Sequence, residues 1–151
     1  MRVYIAAPKR LVELAKRMAA RLRTLGFVVV SSWHEVLQEG QQDPESFHAR
    51  KEALDTNLRE LVSADAVLAL TSDGEGRETY VEIGRALELG LAVVWSLERG
   101  GDALSSSDSS VTTTMTDDEA IQRLQVISRV SEGARVDRWS APVGQKDKVR
   151  S

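Results

Sequence analysis

Four short apolar runs constrain this chain more than any other feature. They are VYIAA within Arg2–Ala7, FVVVS at Phe27–Ser31, AVLAL at Ala66–Leu70 and LAVVWSL at Leu91–Leu97. Each is apolar at nearly every position rather than at alternate ones, the pattern of strands covered on both faces of a parallel sheet. Segments with helical spacing lie between them. Leu11, Leu14, Ala15, Met18, Leu22 and Leu25 predict a helix over Lys9–Leu25, stopped at Gly26. Phe47, Leu54, Leu58, Leu61 and Val62 mark a second helix, and a third ends near Leu89 at Gly90. The β-branched stretch Ser110–Met115 makes a fifth strand. Thr116 or Asp117 then caps a last helix carrying Ala120, Ile121, Leu124, Ile127 and Val130.

Strand and helix therefore alternate. Right-handed crossovers turn that order into a parallel sheet of about five strands with helices on both faces. The expected class is α/β, a Rossmann-like (flavodoxin-like) three-layer fold. The chain has 151 residues, 42% of them hydrophobic, enough for one core without a staple. We expect one domain over 1–131 and a flexible C-terminal tail over 132–151, where no periodicity survives. Cysteine is absent, which excludes disulfides, thiolate metal sites and a cysteine nucleophile. Two scattered histidines make a poor ligand set, so no metal and no cofactor is expected. The net charge of -3 argues against nucleic acid as a partner, and the basic tail residues Arg135, Arg138, Lys146, Lys148 and Arg150 read as a solvated segment. No run reaches the ~20 apolar residues of a membrane helix, and the N-terminal run is too short for a signal peptide. A cytoplasmic protein with no membrane partner is the expectation.

In such folds ligands bind beyond the carboxyl ends of the strands. Function should sit at loops beginning after Ala7, Val30, Leu70 and Leu97. The first, Ala6-Ala7-Pro8-Lys9-Arg10, lacks both the dinucleotide and the P-loop fingerprints. Lys9 and Arg10 at a helix start suit an anion, or are a solvated basic pair. The second loop carries Trp33, which can stack on a planar base or simply cover the core. His34 beside it could be a general acid or base, but a lone histidine in a polar loop reads first as solvated. A polar stretch over 32–44 follows. The third loop is rich in acid, with Asp73, Glu75, Glu78 and then Glu82. A first-turn acid such as Glu78 is explained by the helix dipole. Glu82 lies deeper, between Val81 and Ile83 and near Gly84 and Ala86, and is the better candidate for a nucleophile.

Three segments in order carry a resemblance. They are Val3-Tyr4-Ile5-Ala6-Ala7-Pro8, the stretch from Asn57 to Leu70, and Glu82-Ile83-Gly84-Arg85-Ala86-Leu87-Glu88-Leu89-Gly90. Over about Arg2–Ser96 the chain resembles the nucleoside 2-deoxyribosyltransferase family, which includes nucleoside monophosphate N-glycosidases. The resemblance implies that Glu82, in the E-x-G-x-A motif, attacks the anomeric carbon and that Tyr4 orients it. Expected substrate contacts are Ala7, Lys9, Arg10, Trp33, Asn57 and Gly76. Two departures stand out. Asn57 occupies a position where members usually carry Asp, and Gly76-Arg77-Glu78-Thr79-Tyr80 replaces a D-x-G-T stretch. Asp73, then Asp55, are the candidates for the acid that handles the leaving base. The retaining mechanism so implied needs an ionised Glu82, hence a pKa that is not strongly raised. Sites near a subunit interface make a homodimer or larger oligomer the expectation, and hydroxyls of the Ser105–Ser110 run could reach a neighbouring site. A non-catalytic nucleotide-binding module is the alternative. A cytokinin-activating phosphoribohydrolase would carry P-G-G-x-G-T before its glutamate, which this chain lacks. A partner-binding role for the tail and Trp139 is a third reading.

Overall fold

The computed structural model describes residues 1–37, 46–73, 76–101 and 109–139, the last four by backbone alone. The strands are β1 (Arg2–Ala6), β2 (Val28–Val29), β3 (Ala66–Ser72), β4 (Ala92–Arg99) and β5 (Val111–Thr114). They form one sheet in the order β2-β1-β3-β4-β5, and every pairing is parallel. The helices are α1 (Val12–Thr24), α2 (Trp33–Val36), α3 (Phe47–Val62), α4 (Arg77–Glu88) and α5 (Asp117–Trp139), with a 3₁₀ turn at Lys9–Leu11. α3 and α4 pack on each other, and α4 lies against β1, β3 and β4. α5 lies against β4 and β5, and its Asp118 pairs with Arg21 of α1. The result is the expected three-layer flavodoxin-like arrangement.

The continuous apolar runs are buried as their pattern implies. All seven residues of β3 are buried, and Val3, Tyr4, Ile5 and Ala6 of β1 are fully covered. α1 ends as the sequence predicts. Gly26 takes φ +88°, and the N–H of Phe27 reaches back to the carbonyl of Leu22, closing the last turn. Gly90 does the same for α4, with Leu91 N–H on Ala86 O.

Two elements differ from expectation. β2 covers Val28–Val29 rather than Phe27–Ser31. Side chains take over the edge of β1 where the backbone ladder stops. Val30 N–H still bonds Val3 O, but next the Ser31 hydroxyl accepts from Ile5 N–H at 3.1 Å. The Trp33 indole then donates to Ile5 O at 2.8 Å. The last helix runs to Trp139, eight residues beyond the expected end at Ser131, with residues 131–135 exposed. Residues 131–135 bury no face, so no apolar spacing is needed there. Thr116 is its cap, accepting from Glu119 N–H, while the Glu119 carboxylate returns to Met115 N–H. Among the described residues no helix is long and apolar enough to cross a membrane.

The C-terminal end of β4 is tied to α5 by one carboxylate. Asp117 accepts two hydrogen bonds from the Arg99 guanidinium, at 2.8 and 2.7 Å, and one from Ser96 at 2.6 Å. Burial alone would raise the Asp117 pKa, but the bonds from Arg99 and Ser96 outweigh it and hold the carboxyl below its usual range. A depressed folded-state pKa supplies stability that is complete above the unfolded value of roughly 3.9. That stability is lost as pH falls below it through the folded pKa. Asp117→Ala leaves a largely buried guanidinium without its carboxylate, so urea unfolding at neutral pH should show a loss of about 3 kcal/mol. The difference from wild type should shrink as the pH is lowered past 4.

Candidate active site

The strand order reverses between β1 and β3, because β2 lies on one side of β1 and β3 on the other. Connections then leave to opposite faces, and a crevice opens at the carboxyl ends of these two strands. The segment Ala7–Arg10 follows β1 there, and Asp73 and Gly76 follow β3. An open cleft of about 290 Å³ lies at this point, lined by Ala7, Pro8, Lys9, Arg10, Gly76, Arg77, Glu78 and Thr79. Gly76 opens α4 with φ +107°, and a Cβ there would sit 3.0 Å from the Pro8 ring. This position must be glycine for the β1 loop and α4 to approach so closely.

The cleft carries three cations. Arg10 donates to the Ser72 hydroxyl and, at 3.1 Å, to the Asp73 carbonyl, which fixes its head at the end of β3. Lys9 and Arg77 complete the set. The first N–H groups of α4 point into the same region, and Gly76 offers no side-chain cap for them.

Glu82 lies one turn along α4 from the cleft and is half-buried. The hydroxyl of Tyr4, fully buried in β1, donates to its Oε1 at 2.7 Å. Burial raises the Glu82 pKa, the Tyr4 bond opposes the rise, and the charge of Glu78 adds to it, leaving a value of about 7. This corrects the expectation of a pKa that is not strongly raised: desolvation by burial outweighs the one donor that favours the carboxylate. Burial, with the nearby charges of Glu82 and Glu60, pushes the Tyr4 phenol far above its ordinary range. It therefore stays a donor at every working pH.

The other sequence candidates fare differently. Ala7, Lys9, Arg10 and Gly76 converge on the cleft. Trp33 is only 8% exposed, with its indole N–H on Ile5 O, so it serves as core cover. His34 is a correction. Instead of being solvated it is fully buried, its Nε2 lying 3.2 Å from the Ser31 hydroxyl. The short α2 turn folds it inward, and burial lowers its pKa. Asn57 is half-buried on α3 and Asp55 is exposed there. The Asp73 carboxylate accepts from Gly101 N–H at 2.9 Å, and a Cβ on Gly100 would collide with it. It braces the turn that leaves β4. Glu75, most of the Ser105–Ser110 run and residues 38–45 lie outside the described residues.

Glu60 is a residue that sequence reasoning missed. Its carboxylate accepts from Ser32 N–H at 3.0 Å and from the Ser32 hydroxyl, so α3 holds the segment leaving β2. Its position between apolar neighbours, Leu58 and Leu61, was the available signal.

No protein-family sequence model matches the chain, and no characterised protein matches it by sequence. Solved structures do. A 2-deoxyribosyltransferase from Bacillus psychrosaccharolyticus superimposes with a TM-score of 0.65 at 20% identity, over 80% of this chain and 90% of that one. The CMP N-glycosidase of Clostridium botulinum superimposes with a TM-score of 0.55 at 16% identity, over 84% of this chain and 99% of that one.

The Tyr4 bond favours the ionised form of Glu82, so Tyr4→Phe should move its pKa upward from about 7. A carboxyl-labelled NMR titration reads this directly; an unmoved or lowered value would show that the bond is not formed. The chain thus has the fold shared by these two proteins, in agreement with the resemblance carried by its three segments.

Proposed function

We propose that this protein breaks the N-glycosidic bond of a nucleoside or nucleoside 5′-monophosphate, with Glu82 as nucleophile. The observation that carries this reading is the half-buried Glu82 carboxylate held by Tyr4, one turn along α4 from the switch-point crevice. The names of the two structural neighbours, a deoxyribosyltransferase and a CMP N-glycosidase, support the same chemistry.

The reading implies the following steps. Tyr4 occupies Oε1 of Glu82, leaving Oε2 to attack the anomeric carbon. The bond from that carbon to the base nitrogen breaks, and its electron pair departs with the base, which takes up a proton from solvent water in the open cleft. A glycosyl ester of Glu82 results, as in a retaining glycosidase. Water or a second base then captures the sugar and frees Glu82. Only ionised Glu82 can attack, so with a pKa of about 7 the free protein is near half-active at neutral pH.

Lys9, Arg10 and Arg77 beside the start of α4 favour substrates with a 5′-phosphate. A homo-oligomer is part of the same proposal. Phe47, Leu54 and Val62 of α3 are 80%, 55% and 59% exposed, an apolar stripe that a second copy would cover. A non-catalytic nucleotide-binding module is the second reading, favoured by Asn57 where a carboxylate would aid catalysis.

Incubation with the 5′-monophosphates and 2′-deoxynucleosides of the common bases, followed by chromatography, tests the reading. Base release is expected from the wild type, and Glu82→Gln should lose it by at least roughly 10³-fold while melting normally. kcat/KM should climb with pH through a midpoint at about 7 before it levels off. Folded wild type that releases no base from any of them would favour the binding module. For the oligomer, light scattering should give a mass of at least twice 16.6 kDa, and Leu54→Asp should reduce it toward one chain.

A further inference from the structure

We propose that Glu78 is the general base that delivers water to the sugar–Glu82 ester, which makes this protein a hydrolase rather than a base-exchanging transferase. The inference rests on the proposed function and adds the second carboxylate that the reading lacks.

Four observations converge on Glu78. It stands four residues before Glu82 on α4, so the two share one helical face with Cβ atoms about 5–6 Å apart. Second, Glu78 is exposed and lines the cleft, so bulk water reaches it. The cleft, at about 290 Å³, is several times the ~30 Å³ share of one water, leaving room for a water beside an anion held by the cations. Third, its charge is felt at Glu82, where it raises the pKa. Fourth, the acids expected from the sequence are placed elsewhere. The Asp73 carboxylate holds the turn at Gly101, and Asp55 is exposed on α3. Glu60 is engaged by Ser32.

The step balances. The water oxygen forms a bond to the anomeric carbon while Glu78 takes one of its protons. The bond from that carbon to Glu82 oxygen breaks, its electron pair returns to the Glu82 carboxylate, and the free sugar leaves. Glu78 then passes its proton to solvent. The groups facing Glu82 are Tyr4 from β1 and Glu78 from its own helix, with Lys9, Arg10 and Arg77 around the cleft and Glu60 acting on Tyr4.

The test uses Glu78→Gln, which keeps size and loses the base, with Glu78→Ala as a second variant. With the substrate that the wild type cleaves fastest, Glu78→Gln should give one rapid equivalent of base and then turn over roughly 10²–10⁴-fold more slowly. Intact mass should show the sugar adduct on the protein. Sodium azide, which needs no proton removed, should restore turnover in Glu78→Ala and yield a glycosyl azide. The rising limb of the pH profile should move to lower pH, since a charge that opposed ionisation of Glu82 is gone. The wild type given excess acceptor base should still release mainly free sugar. Wild-type turnover in Glu78→Gln, or slow turnover without burst, adduct or azide rescue, would overturn the assignment while leaving Glu82 intact as nucleophile. Mainly new nucleoside from the wild type would overturn the hydrolase assignment. A wild type that cleaves nothing would instead sink the functional reading beneath it.

Discussion

The hydrogen bond from Tyr4 to Glu82 joins the middle of the sheet to the helix that covers it. Most of the site depends on that contact. A tyrosine inside a fully buried strand has few partners, and leaving its hydroxyl without one would cost about 1–3 kcal/mol. Glu82 supplies the partner, 78 positions later in the chain. The carboxylate in turn is drawn out of water far enough to share its proton near neutral pH. One contact thus satisfies a buried donor, fixes the rotamer of a candidate nucleophile and lowers the pH at which it can act.

The topology decides where that contact sits. Because β1 lies between β2 and β3, the loops after β1 and β3 part to opposite faces and leave a crevice above Tyr4. Pro8 and Gly76 approach closely in its lining. The cations that line it come from two segments far apart in sequence, Lys9–Arg10 and Arg77. The gathering of these cations comes from the sheet order as much as from any one residue.

The strands were legible because burial on both faces leaves an apolar signature at consecutive positions. AVLAL at Ala66–Leu70 became the fully buried centre of β3. Glycine marked the ends of α1 and α4 for a local reason, the positive φ at Gly26 and Gly90. The pair of Tyr4 and Glu82 came from resemblance, since no local rule links a strand residue to a helix residue so far away. What the sequence hid was side-chain work between distant elements. Ser31 and Trp33 replace the ladder of β2 with their own hydrogen bonds to Ile5, so a run that reads as five strand residues is two. His34 reads as a polar loop residue and is buried, because the turn that carries it folds onto the core. Asp73 has the composition of a catalytic acid and the contacts of a brace. The pKa of Glu82 was misjudged for the same reason: desolvation depends on packing above the residue, which spacing does not report.

The central claim is a covalent bond between Glu82 and the sugar. The most direct measurement is peptide mapping after reaction with a 2′-fluoro-2′-deoxy nucleoside or its 5′-monophosphate, whose fluorine slows release of the trapped sugar. The account predicts a mass increment equal to the fluorinated sugar on the peptide containing Glu82, matched by one equivalent of released base. Base release with the increment on another residue, or with no increment while turnover continues, would contradict it.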